Sequence, residues 1–268
     1  MAARGPARRG GDRPNDRPAP KISVDLYGRH AVLHAILNPD RDVSAIYATP
    51  DQQADVATWV AQARQNGVAR PGPTIVPAPA LASACGGAGV VHQGVGVATA
   101  PLPEVSLDDI LRHLPATGPA VLVMLDQVTD PHNFGAILRS ACAFGAVGVI
   151  VQRRHAPDLS ALIAKIACGA VEHIGVAFET NLARAIDTVR DHDFRVVGLD
   201  ERGARTIGEG PRSDRTMIVM GAEGPGLRRL VREGCDELVR LPTQGPIASL
   251  NVSNAAAVAL YAVCADKG

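Results

Sequence analysis

From about residue 119 onward, short and almost uninterrupted apolar runs alternate with longer stretches of helical periodicity. The runs fall at 120–125, 146–151, 194–199 and 216–220, with another between Val171 and Phe178. Runs of this length and character are those of strands buried on both faces. Between them, apolar residues recur every three or four positions over 134–145, 158–168, 181–192 and 225–234. Strands that alternate with helices predict an α/β fold, a parallel sheet flanked by helices. A final short strand (Leu238, Val239, Leu241) stops at Pro242, and a loop with Gly245 and Pro246 follows. A helix of small apolar residues then starts near Asn251, with Ser249, Asn251 and Ser253 at its head. Such residues cap helices by accepting from first-turn N–H groups. Three of them beside two turn-formers leave a second reading open, a place where the chain meets a ligand.

Residues 22–100 have a different rhythm and read as a small α/β unit. Tyr27-Gly28-Arg29-His30 leads into a helix through Ala31, Val32, Ala35, Ile36 and Leu37. A strand at 44–48, a helix through Val56, Trp59, Val60 and Ala63, and a strand near Thr74–Val76 follow. The segment 89–97 is glycine-rich but lacks GxGxxG before a helix, which disfavours a dinucleotide site. Residues 101–118, with Pro101, Pro103 and Pro115 around one short helix, read as a linker, and 119–268 as the second domain. Residues 1–21 are rich in Arg, Pro and Gly without apolar pattern and read as a disordered tail, either inert or in loose contact with phosphates.

Composition narrows the classes. Lys+Arg and Asp+Glu both number 27, so any surface for nucleic acid is local. At 3% aromatics, a stacking platform for bases is disfavoured. Five scattered cysteines without CxxC spacing predict a reducing compartment, the cytoplasm, and no zinc site or disulfide framework. No apolar run is long enough to span a membrane. The Arg-bearing start has no apolar segment behind it, so it is not a secretory signal, and Asp12, Asp16 and several prolines weigh against a transit peptide.

Open parallel sheets bind ligands beyond the carboxyl ends of their strands. Three polar, glycine-rich segments fall there: Asp126–Asn133, Gly221–Gly226 and Thr243–Asn251. In the first, Asn133 stands where a helix cap is expected, and Arg139 lies nearly two turns in, among Phe134, Ile137, Leu138, Ala141 and Phe144. An arginine is costly to bury unpaired, so Arg139 is either half of a structural ion pair or a clamp for a phosphate or substrate. His132 reads as a turn residue. In the second, Glu223 sits among three glycines, able to accept from a ribose or an amine, or simply part of a turn with Pro225 as the first helical residue.

These three segments, in this order and spacing, resemble motifs 1, 2 and 3 of the SpoU family of RNA ribose 2′-O-methyltransferases, within the SPOUT class. Tyr27–Val32, Val91–Gly94, Lys165–Ala170 and Cys235–Leu238 are further similar to its bacterial 23S rRNA guanosine subgroup, so the likeness covers about 24–265. The resemblance implies catalytic roles for Asn133, Arg139, Glu223, Ser249 and Asn251, and a pocket for S-adenosylmethionine around Gly221, Leu241 and Leu250, with no metal. It implies a deep C-terminal trefoil knot, which periodicity cannot show. It also implies a homodimer with active sites near the interface and a ribosomal-protein-like N-terminal domain that binds 23S rRNA. A tRNA enzyme or a drug-resistance rRNA enzyme of the same chemistry is the alternative. A non-catalytic RNA-binding ribosome-assembly factor is the alternative of another class.

Overall fold

Two sheets divide the strands of the chain, whose computed structural model describes residues 22–114, 116–209, 213–246 and 249–264. The expected tail at 1–21 lies outside the described residues. The first sheet is built from β1 (Leu26–Tyr27), β2 (Val43–Ala48), β3 (Pro73–Ile75) and β4 (Val95–Thr99), in the order β1-β4-β2-β3. β4 runs antiparallel to both β1 and β2, and β3 runs parallel to β2. Helices α1 (Arg29–Leu37), α2 (Gln53–Gln65) and α3 (Ala78–Ala84) accompany it. Ala31, Val32, Ala35 and Ile36 of α1 and Val56, Val60 and Ala63 of α2 are buried, the spacing that made both helices legible.

After α4 (Leu107–Arg112) the second sheet alternates with helices: β5 (Ala120–Asp126), α5 (Pro131–Ala143), β6 (Gly148–Gln152), α6 (Ala161–Ile166), β7 (Gly175–Glu179), α7 (Leu182–Arg190), β8 (Arg195–Leu199), β9 (Arg205–Thr206), β10 (Arg215–Gly221), α8 (Arg229–Glu233), β11 (Glu237–Arg240) and α9 (Val252–Cys264). Its order is β7-β6-β5-β10-β8-β11-β9, and every pairing is parallel. All seven residues of β5 are buried. Val121, Val123 and Leu125 face one layer with Phe134, Ile137, Leu138 and Ala256, while Leu122 and Met124 face the other with Ile186, Val189 and Val231. An apolar run covered on both sides is what a parallel sheet demands.

Among the boundaries that differ from the sequence reading, two bear on the site. α5 starts three residues earlier, because Asp130 and not Asn133 is its cap: the Asp130 carboxylate accepts from the N–H groups of His132 and Asn133, and Pro131 takes the first helical position. α8 starts at Arg229, so Pro225 belongs to a turn and opens no helix.

The two sheets are joined where α1 meets the segment after α6. Gly169 adopts φ +83°, and a Cβ there would lie 2.6 Å from Cδ2 of His34, so the absent side chain lets α1 rest on the backbone. Next to it, Glu172 accepts from Asn38 Nδ2 at 2.8 Å and from Arg41 Nη2 and Nε at 2.6 and 3.1 Å. The Arg41 and Glu172 side chains are 7% and 1% exposed. Nδ1 of His34 and Nε2 of His173 are 2.8 Å apart. Burial, and then the His173 and His30 charges, hold His34 below the usual imidazole range, with Glu172 opposing.

Candidate active site

Three chain reversals meet beyond the carboxyl ends of β5, β10 and β11. β5 and β10 end together, with Asp126 in register with Gly221. After β5 the chain turns through Gln127, at φ +62°, into α5. After β10 it folds into a closed turn: Gly226 N–H donates to the Ala222 carbonyl at 3.0 Å, and Gly224 and Gly226 have positive φ. Gly221 is glycine for this turn, since a Cβ there would lie 2.2 Å from the Gly226 carbonyl carbon. The close approach is therefore made by the chain to itself. After β11 the segment 241–246 carries one backbone hydrogen bond among the described residues, from Thr243 N–H to the Leu241 carbonyl at 2.9 Å. Leu250 follows with 44% exposure.

These turns bring three of the anticipated side chains together. Oε1 of Glu223 accepts from Nδ2 of Asn251 at 2.8 Å, Nδ2 of Asn133 at 3.3 Å and the N–H of Val252 at 3.3 Å. Nδ2 of Asn251 also donates to Oδ1 of Asn133 at 2.9 Å. Oδ1 of Asn251 caps α9, accepting from Ser253 N–H at 2.9 Å and Ser253 Oγ at 2.6 Å. A carboxylate thus sits at the start of a 13-residue helix, where the free N–H groups and the helix dipole favour negative charge. Its other oxygen, Oε2, has no partner among the described residues, and the residue is exposed.

Two other anticipated residues stand apart. Arg139 is exposed, and among the described residues it has no hydrogen bond or ion pair. Six helical positions place it about 120° around α5 from Asn133, on the side of His132. Ser249 is exposed and has no hydrogen bond among the described residues. Leu241 is half-buried.

A charged pair was missed. Asp126 is completely buried, and its Oδ1 and Oδ2 accept from Nε and backbone N–H of Arg228 at 2.6 and 2.8 Å. The available signal was the acid ending a seven-residue apolar strand, which cannot be buried without a partner. Arg232 pairs similarly with Asp200, just after β8, at 2.8 Å.

Three of the cysteines are not poised as nucleophiles. Burial raises the Cys85 and Cys142 thiols, and burial together with the Asp236 charge pushes Cys235 up to about 12. No helix among the described residues is long and apolar enough to cross a membrane.

A strand-end cluster of two amides and a carboxylate does not name a reaction by itself, but its surroundings have relatives. Residues 120–261 match the SpoU rRNA Methylase family. The chain is 38% identical to the 23S rRNA (guanosine-2′-O-)-methyltransferase RlmB of Bordetella pertussis, over 88% of its own length and 94% of that protein. It is 36% identical to an uncharacterized tRNA/rRNA methyltransferase of Mycobacterium avium, over 98% of its length and 84% of the relative. The crystal structure of the SpoU methyltransferase AviRb from Streptomyces viridochromogenes, in complex with the cofactor AdoMet, superposes with a TM-score of 0.72 and 25% identity, covering 90% of this chain and 89% of that one. With the three motif segments gathered at one edge of a parallel sheet and this extent of likeness, the chain belongs to the SpoU rRNA methylase family.

Proposed function

We propose that this protein transfers a methyl group from S-adenosylmethionine to the ribose 2′-hydroxyl of a guanosine in 23S rRNA. The observation that carries the reading is the convergence of Asn133, Glu223 and Asn251 from three separate strand ends, in a chain 38% identical to RlmB of Bordetella pertussis.

The same edge fits the cofactor. Leu250 offers an exposed apolar wall, and Gln244 and Gly245 have backbone N–H groups that donate to no described residue. An apolar surface with a few free backbone groups suits an adenosine ring and its hydrogen bonds. When bound, S-adenosylmethionine supplies the electrophilic methyl group. Gly221, Leu241 and Leu250 would hold it. Asn133 and Asn251, each fixed by Glu223, orient the ribose, since alignment of the attacking oxygen is the larger part of an in-line displacement. Ser249, two residues before Asn251 in the chain, would add a hydroxyl donor to the same sugar.

Arg139 holds the phosphate next to the reacting ribose and stabilises the forming alkoxide. A guanidinium holds its proton too tightly to be a good base, which favours this role over proton abstraction. Within one chain Arg139 lies off the cluster. A homodimer in which the partner completes the site accounts for that. Val258 and Tyr261 on α9, 43% and 63% exposed, give such an interface an apolar face, with Tyr261 edge-on to Phe144 of α5.

The finer architecture belongs to the same reading. A deep trefoil knot is part of it, supported by the return of α9 from β11 to pack on α5 and β10. Residues 22–100 form the RNA-binding domain, 101–118 the linker and 119–268 the methyltransferase domain. The scattered cysteines, without CxxC spacing, suit the cytoplasm.

The test is to map ribose methylation in rRNA and tRNA with and without the gene, and to assay the purified protein with labelled S-adenosylmethionine. One guanosine of 23S rRNA that loses its methyl group supports the reading. Loss at a tRNA position would replace the substrate. Absence of thermal stabilisation by S-adenosylmethionine would favour a non-catalytic binder.

A further inference from the structure

We propose that Asp126 and Arg228 form a latch that positions Glu223. The latch stands on geometry, and its catalytic consequence rests on the function proposed above.

Asp126 closes β5 and is fully buried, so its charge must be matched inside the protein. Both matching donors come from one residue. Backbone N–H and side-chain Nε of Arg228 bind Oδ2 and Oδ1, so one buried carboxylate holds both the main chain and the guanidinium of Arg228. Upstream, the turn is held by the Asp126–Gly221 register, the Ala222–Gly226 hydrogen bond and the buried Leu227. Arg232 backs it from the other side. Its Nη2 pairs with Asp200, whose side chain is 8% exposed, and lies 3.8 Å from where a Gly226 Cβ would sit. β10 runs between β5 and β8, so an arginine–carboxylate pair on each side braces the turn that follows it.

Inside this braced turn stands Glu223, exposed yet bonded to three N–H groups from two other segments. An exposed side chain ordinarily loses such bonds to rotamer entropy and water. Fixing both ends of a five-residue turn removes the backbone part of that cost. Arg228 and Asp126 are thus positioning residues that act through Glu223.

The experiment compares the full chain with Arg228→Gln, Asp126→Asn, Glu223→Ala and the Arg228→Gln/Glu223→Ala double variant. The first readout is amide hydrogen exchange without cofactor or RNA. Val252 has no intrahelical acceptor and is held by Glu223, so its exchange should rise about tenfold in Arg228→Gln as in Glu223→Ala, while amides of β5 stay protected. Unchanged exchange at Val252 in Arg228→Gln overturns the proposal. The second readout is kinetic. Arg228→Gln should lower kcat about tenfold at constant KM for RNA, and should cost nothing further when Glu223 is already alanine, as expected for groups acting in series. Additive losses, or a raised KM with a shallower salt dependence, would make Arg228 a direct phosphate contact and overturn the positioning role. A wild-type protein that methylates no RNA would instead refute the proposed function and leave the exchange result to decide on the latch.

Discussion

Glu172 and Glu223 each gather donors from distant parts of the chain, and they do so in opposite ways. Glu172 receives Asn38 and the guanidinium of Arg41, is almost wholly buried, and is neutralised by a cation. Glu223 receives two amides and a backbone N–H, is exposed, and has no cation beside it among the described residues. The first cluster engages both carboxylate oxygens and joins two sheets. The second keeps one carboxylate oxygen unused at the edge where three loops meet. Completeness, rather than the number of contacts, separates a joint from a site.

The largest expected effect tests the joint. Glu172→Ala leaves Arg41 buried without a counter-charge and should cost ~3–5 kcal/mol of stability, read by urea unfolding. Arg41→Leu combined with Glu172→Leu should recover most of that loss, because an apolar pair of similar volume carries no desolvation penalty. A mild effect of the single variant would erase the contrast.

Arg139→Ala should lower methyl transfer about 100-fold or more while leaving unfolding and calorimetric S-adenosylmethionine affinity unchanged, since Arg139 is exposed and unpaired among the described residues. Equal mixing of inactive Arg139→Ala and Asn251→Ala dimers should return about a quarter of wild-type activity if each site draws on both protomers. No recovery would place the whole site within one chain. Glu223→Gln keeps the volume and removes the charge at the start of α9. Its expected cost is smaller, ~0.5–1 kcal/mol in stability with about a tenfold drop in kcat.

The smallest effect is a pH dependence of the joint. His34 is held below its unfolded value, so the unfolded chain binds its proton more readily. The stability of the joint is therefore complete above about pH 6.5 and falls as pH drops through the lowered His34 value. His34→Asn should flatten the melting temperature between pH 7.5 and 5.5 relative to wild type. An unchanged slope would remove His34 from the account.

The buried strands were legible because parallel strands must be apolar on both faces, as β5 and β10 are. β9, two polar residues at the sheet edge, has no such pattern and went unread. The start of α5 was misplaced although Asp130-Pro131 is a capping signal, because Asn133 is also a good cap and only the hydrogen bonds distinguish them. Asn133, Glu223 and Asn251 could be anticipated from their motif segments. Their bonding to one oxygen could not, nor could the pairing of Asp126 with Arg228, 102 positions apart, or of Arg41 with Glu172, 131 apart. Periodicity reports a residue's own environment and says nothing of the partner that strand order brings to it. The solvent-facing position of Arg139 was hidden by its apolar neighbours, which turn to the other side of the same helix.

The place of β10 in its sheet has a consequence for how the chain is made. β5 and β8 become neighbours only through β10, which is synthesised after both. Until residues 215–221 leave the ribosome, each of those strands has an open edge and an apolar face without its final cover. A nascent chain that must wait for its central strand is exposed to premature pairing, and its folding rate is set by distant contacts rather than local helices. Translation pauses placed before β10 should therefore lower the yield of folded protein, and pauses placed after it should not.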